Sequence, residues 1–167
     1  MKYFLPILLS LSFLGCAHST AENSAMVAAD KNKAVAVAYY EAYNAKSIDG
    51  QLSLMTDGVI YVSNSGKTRE GKEAYRKYTE GLFAEVSEKV IEIKYIVDPQ
   101  QLIVVAHGFA EGAYVTTSPG LPKARGQKYR IPVVEIFEFK DSQIVKLSTI
   151  YNEDMWKQQI SAQPPKK

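Results

Sequence analysis

The sequence predicts an α+β fold, and three observations carry that expectation. Helical periodicity is confined to the first half of the folded part. From Val90 onward apolar and polar residues alternate with period two. The strands so defined are joined by turns too short to hold helices, which leads to an antiparallel sheet with the helices segregated from it.

Residues 30–46 (DKNKAVAVAYYEAYNAK) place Val35, Ala38, Tyr39 and Ala42 on one helical face and Ala36, Tyr40 and Tyr43 on an adjoining flank. Asp30 suits the N-cap, and a helix apolar around so much of its girth must be buried on more than one side. Asp49-Gly50 opens a short second helix that carries Leu52 and Met55 and stops at Asp57-Gly58. Val59 to Ser63 reads as a short strand, with a turn at Asn64-Ser65-Gly66. A third helix runs from near Gly71 to Val86 and turns Tyr75, Tyr78, Leu82 and Phe83 inward. In residues 90–97, Ile91, Ile93, Tyr95 and Val97 alternate with Glu92 and Lys94, the pattern of a half-buried strand. After a turn at Asp98-Pro99 come a long strand over 101–117, a Pro- and Gly-rich loop (SPGLPKARGQ) and a strand over 128–140. Asp141-Ser142 makes a tight hairpin into residues 144–151, and Asn152 caps a final helix, EDMWKQQI.

Composition limits what such a domain does. With 167 residues, 46% of them hydrophobic, the chain buries a real core and is not disordered. Its 20 Lys and Arg against 18 Asp and Glu leave a net charge of +2, far from the excess that nucleic-acid binding demands. The basic run Lys123, Arg125, Lys128 and Arg130 is read as a solvated loop, with anionic lipid headgroups as the other reading. One cysteine excludes a disulfide framework. Two histidines, His18 and His107, supply no ligand set for a metal, and no cofactor motif is present.

The N-terminus reads as export. Lys2 precedes an apolar run from Phe4 to Leu14, too short to span a bilayer. Phe13-Leu14-Gly15-Cys16 resembles the lipobox of bacterial lipoproteins. That resemblance implies cleavage before Cys16 and acylation of its thiol and new amino group, which would anchor the protein in the cell envelope, facing periplasm or exterior. Cleavage after Ser19-Thr20-Ala21, giving a free secreted protein, is the alternative. The organisation is then a signal peptide (1–15), a tether after lipidated Cys16 (16–30), a folded domain (31–160) and a disordered tail (161–167).

Within the folded domain, five motifs in order resemble the SnoaL-like branch of the nuclear-transport-factor-2-like superfamily. They are Ala38-Tyr39-Tyr40-Glu41-Ala42-Tyr43-Asn44-Ala45, with Asp49 after it, then Asp57-Gly58-Val59-Ile60-Tyr61 and Gly71-Lys72-Glu73-Ala74. Gly120-Leu121-Pro122 and Phe139-Lys140-Asp141-Ser142-Gln143-Ile144-Val145 follow. The resemblance implies a curved sheet wrapped around helices into a cone-like barrel, a pocket at its mouth, and a homodimer through the sheet. It also brings catalytic patterns to compare. The Asp base of ketosteroid isomerases falls on Ser63, whose hydroxyl has no basicity near neutral pH, so that reaction is rejected. The His of the cyclases' His/Asp pair falls on Tyr114, and Gln127, Lys128, Tyr129 and Arg130 contain no acid where the Asp belongs. A shifted loop register would keep cyclase chemistry open.

Ionisable groups in strand interiors remain. By alternation His107 shares a face with Val105, Phe109 and Glu111, and Glu135 lies between Val133 and Phe137. A buried carboxylate beside aromatic rings is poised for proton transfer near pH 7, and His107 would be its partner. A structural histidine, and carboxylates facing water, are the competing readings. The ten tyrosines from Tyr39 to Tyr151 suit a cavity for a small, largely apolar ligand, with Tyr40, Tyr61, Ser63 and Tyr114 as its expected lining. The leading expectation is a ligand-binding protein. An isomerase, cyclase or dehydratase using Glu135 or His107, and a non-catalytic dimeric module of the cell envelope, are the alternatives.

Overall fold

The computed structural model describes residues 16–98, 100 and 102–162, with side chains from residue 24 onward. The expected signal peptide, Pro99 of the expected turn and residues 163–167 of the tail lie outside the described residues.

The chain forms α1 (Cys16–Asn44), α2 (Ile48–Ser53), β1 (Met55–Val62), β2 (Thr68–Glu70), α3 (Lys72–Glu85), β3 (Val86–Asp98), β4 (Ile103–Tyr114), β5 (Gln127–Lys140), β6 (Gln143–Tyr151) and α4 (Glu153–Ala162). The six strands make one open, curved sheet in the order β2-β1-β6-β5-β4-β3. The expected α+β class holds, with one change. The sheet is mixed, because β1 lies parallel to β6 while every other neighbouring pair is antiparallel. β2, α3 and strands β3 to β5 separate those two strands in sequence, which is long enough a connection for parallel pairing.

Several boundaries differ from the sequence reading, the start of β3 at Val86 among them. α1 continues back to Cys16, through the stretch read as a tether. Met55 belongs to β1 and not to α2, which ends at Ser53. Ser47 caps α2 by accepting from Gly50 N at 3.1 Å, and Met55 is then fully buried in the core. The short edge strand β2 was not expected. Among the described residues no helix is long and apolar enough to cross a membrane.

β3 contains the decisive irregularity. Its register against β4 slips between Ile91 and Lys94, and Glu92 adopts φ +54°. This is a β-bulge. Before it Val86, Glu88 and Val90 face inward; after it the inward set is Ile93, Tyr95 and Val97. Ile91, expected among the inward residues, therefore lies on the outer face. On the neighbouring strand Gly112 lets the two backbones meet, since a Cβ there would lie 2.4 Å from Ser87 O.

The core fills the space between α1 and the concave face of the sheet. Phe137, fully buried on β5, meets Tyr39 and Tyr40 of α1 edge-on at ring separations of 5.2 and 5.9 Å. Truncating such a ring costs about 3–5 kcal/mol. Asn44 fastens the end of α1 to β3 by donating to Val90 O and accepting from Val90 N, both at 2.8 Å.

Candidate functional site

The concave side of the sheet is not filled. A cavity of about 820 Å³ opens between α3, α4, the 119–121 loop and β1, β3, β5 and β6. Tyrosine is the commonest residue in its walls, and strand alternation aims Glu88 and Glu135 into it.

Glu135 is the deepest of these, 8% exposed. It lies at an odd position of β5, in phase with Ile131, Val133 and Phe137. Thr149, directly opposite on β6, donates to Glu135 Oε1 at 2.9 Å. The Tyr40 hydroxyl is a further neighbour. It is buried without an ordinary hydrogen bond, yet its dipole favours the ionised carboxyl. Burial outweighs both and raises the Glu135 carboxyl to about 7. The side chain therefore exists in both protonation states near neutral pH.

Glu88 is a second carboxylate that a strand aims into the cavity, which Glu85 and Glu153 also line from α3 and α4. The phenols of Tyr43, from α1, and Tyr129, from β5, each donate to one of the Glu88 oxygens. Burial, reinforced by Glu88, drives both phenols well above their ordinary pKa. Two phenol networks add to the polar lining. Tyr39 and Tyr75 hydroxyls meet at 2.9 Å, and Tyr75 donates onward to Gln51 at 2.6 Å. Tyr61 donates to the Tyr78 hydroxyl at 3.0 Å, which leaves Tyr78 its own proton to offer a ligand. Among the described residues no group of three or more His, Cys, Asp or Glu side chains is placed to hold a metal ion.

Of the residues expected from sequence, Glu135, Tyr61 and Ser63 line the cavity. Tyr40 stands behind the wall, within the core. Tyr114 is buried elsewhere: its hydroxyl accepts from Ser118 N at 2.7 Å and its ring meets Trp156 edge-on. His107 is exposed on the opposite face of the sheet, beside Phe109. The reason is register. Glu135 pairs with Ala106, so His107, one residue on, points the other way and the expected His–Glu partnership does not form. Glu111 shares that outer face and pairs with Arg130 at 3.4 Å.

Sequence reasoning missed Glu88, Thr149 and Arg69. Starting β3 at Val90 hid Glu88. Starting it at Val86 exposes the alternation Val86, Glu88, Val90 that points it inward.

A family model described as SnoaL-like domain matches residues 36–147. Among solved structures, a candidate polyketide cyclase from Xanthomonas campestris pv. campestris superposes with a TM-score of 0.77 at 28% identity, covering 80% of this chain and 98% of that one. A second, from Silicibacter sp. TM1040, gives 0.75 at 29% identity, with 78% and 96% covered. TerC, crystallised with polyporic acid, shares the fold at 18% identity and a TM-score of 0.66, with 79% and 99% covered. No functionally curated protein matches the chain.

Proposed function

The chain belongs to the SnoaL-like domain family, and from that premise we propose that it takes a small, largely apolar molecule into its cavity and that Glu135 exchanges a proton with it. The observation that carries this reading is the Glu135 carboxyl itself, buried against the cavity and raised to about 7. A general acid or base works best when its pKa lies near the operating pH. Thr149 holds one carboxyl oxygen, so the carboxyl cannot swing freely. Tyr78, polarised by the hydrogen bond from Tyr61, offers a donor for an oxygen that gains charge as the proton leaves. A ligand with an acidic C–H beside a carbonyl, or an enol or phenol, fits that pair of groups. The structures described as candidate polyketide cyclases, at 28% and 29% identity, support the same substrate class.

The test uses 2-tetralone, an aromatic ketone with exchangeable α-protons, in D₂O. The wild type is expected to accelerate α-deuteration, and Glu135→Gln to lower that rate about 10²–10⁴-fold. Equal rates for the two proteins would overturn proton transfer. Binding without turnover would then be read from shifts of the cavity tyrosine resonances.

We also propose export with acylation at Cys16, supported by the lipobox-like Phe13-Leu14-Gly15-Cys16, with secretion after Ala21 as the alternative. The mass of the mature protein from its own membranes decides between them. A homodimer through the outer sheet face is proposed from its apolar rows. Ile96, Val105 and Ile136 align across three strands, as do His107, Val134 and Ile150, and Ile96 is 70% exposed. Light scattering on wild type and Ile96→Asp tests this, with loss of the dimer expected.

A further inference from the structure

Arg69 sits on the short edge strand β2, directly opposite Tyr61, and lines the cavity at its β1–β2 side. Its guanidinium lies over the Tyr78 ring at 4.2 Å from the centroid and near the Tyr61 ring at 5.8 Å. A guanidinium held over an aromatic ring can still use N–H donors that do not face the ring. One donor reaches Lys67 O at a long 3.5 Å. Among the described residues no carboxylate pairs with Arg69, whereas Arg76 and Arg130 each pair with two, the nearer at 2.6 and 2.8 Å. Arg69 is thus a planar cation fixed by two rings at the cavity wall, with donors left over. The Ser63 and Ser65 hydroxyls line the same side of the cavity.

Tyr61 also links this cation to the reacting end. Its hydroxyl neighbours Thr149, which in turn holds Glu135. We infer that the ligand is an aromatic or conjugated molecule with one carboxylate, that Arg69 holds this carboxylate by paired N–H···O bonds, and that the uncharged end of the ligand meets Glu135. The inference rests on the cavity-binding reading above and adds the charge of the ligand to it. Arg69 is the group that selects an acid over its neutral analogue, because a bidentate guanidinium–carboxylate pair has no counterpart with an amide.

The experiment titrates 1-naphthoate and 1-naphthamide, followed by the cavity tyrosine resonances. Wild type is expected to bind the acid about tenfold more tightly than the amide, the effect of a charged hydrogen-bonded pair that is partly open to water. Arg69→Met is expected to lose that tenfold for the acid alone, and Arg69→Lys to keep part of it. Equal wild-type affinity for both probes, or equal loss of both in Arg69→Met, overturns the anchor while leaving the cavity reading intact. If Arg69→Met fails to fold, Arg69→Lys decides: an unchanged preference for the acid overturns bidentate recognition. If neither probe moves any tyrosine resonance, the cavity reading falls and this inference with it.

Discussion

Glu135 and Thr149 face each other across the β5–β6 pairing, and the Thr149 hydroxyl donates to Glu135 Oε1 at 2.9 Å. Together with the Tyr40 hydroxyl, this contact stabilises the charged carboxyl against the burial that opposes it. Thr149→Val removes the donor and keeps the volume, so the Glu135 carboxyl is expected to titrate above about 7. Carbon-detected NMR of the side-chain carboxyl measures it. A midpoint unchanged or lowered in the variant would sink the assignment of Thr149.

The same carboxyl makes stability depend on pH. Its folded pKa, about 7, lies above its ordinary 4.5, so between those values the folded state binds more protons than the unfolded chain. Its stabilising contribution is complete below pH 4.5 and is lost as pH rises through about 7. The difference of about 2.5 corresponds to on the order of 3 kcal/mol. Glu135→Gln, which cannot ionise, is expected to lose this slope and to gain on wild type at pH 8.5. Urea titrations of both proteins at pH 5 and 8.5 test it.

Glu88 is clamped by the phenols of Tyr43 and Tyr129. Tyr43→Phe and Tyr129→Phe are each expected to cost about 1–2 kcal/mol, since hydrogen bonds to a charged group exceed neutral ones. The double variant should cost more than the two combined, because the last partner of a half-buried carboxylate is then gone. Denaturation of the four proteins of the cycle supplies the coupling energy, and strict additivity would argue against a shared clamp.

Gly112 faces Glu88 across the β3–β4 pairing. A Cβ there would come within 2.5 Å of Glu88 Cβ and 2.4 Å of Ser87 O, and backbone does not yield as a side chain does. Gly112→Ala is expected to destabilise the domain by about 1–3 kcal/mol, in the range of overpacked sites. It should also weaken binding in the cavity, because Glu88 must move. Paired measurements of stability and of 1-naphthoate binding separate the two effects, and a neutral variant would contradict the close approach.

Much of this architecture was legible in the sequence. The alternation Val133, Glu135, Phe137 was enough to place Glu135 on an apolar face, and period two in β4 correctly grouped His107 with Val105, Phe109 and Glu111. What alternation does not contain is which face is the inside. Pairing of Ala106, not His107, with Glu135 settled that and separated the two expected partners. The inward position of Glu88 and the outward one of Ile91 depend on where β3 begins and where it bulges at Glu92.

The sequence by itself determined the α+β class, the order of its elements apart from β2, and the place of Glu135 on an apolar strand face. These follow from periodicity and residue chemistry, which are local properties of the chain. Only the tertiary structure decided the parallel β1–β6 pairing, the phenol clamp on Glu88, the Thr149–Glu135 contact and the place of Arg69 over two tyrosine rings. Each of these joins residues distant in sequence through strand register or helix docking, and register is set by the packing of the whole sheet against its core.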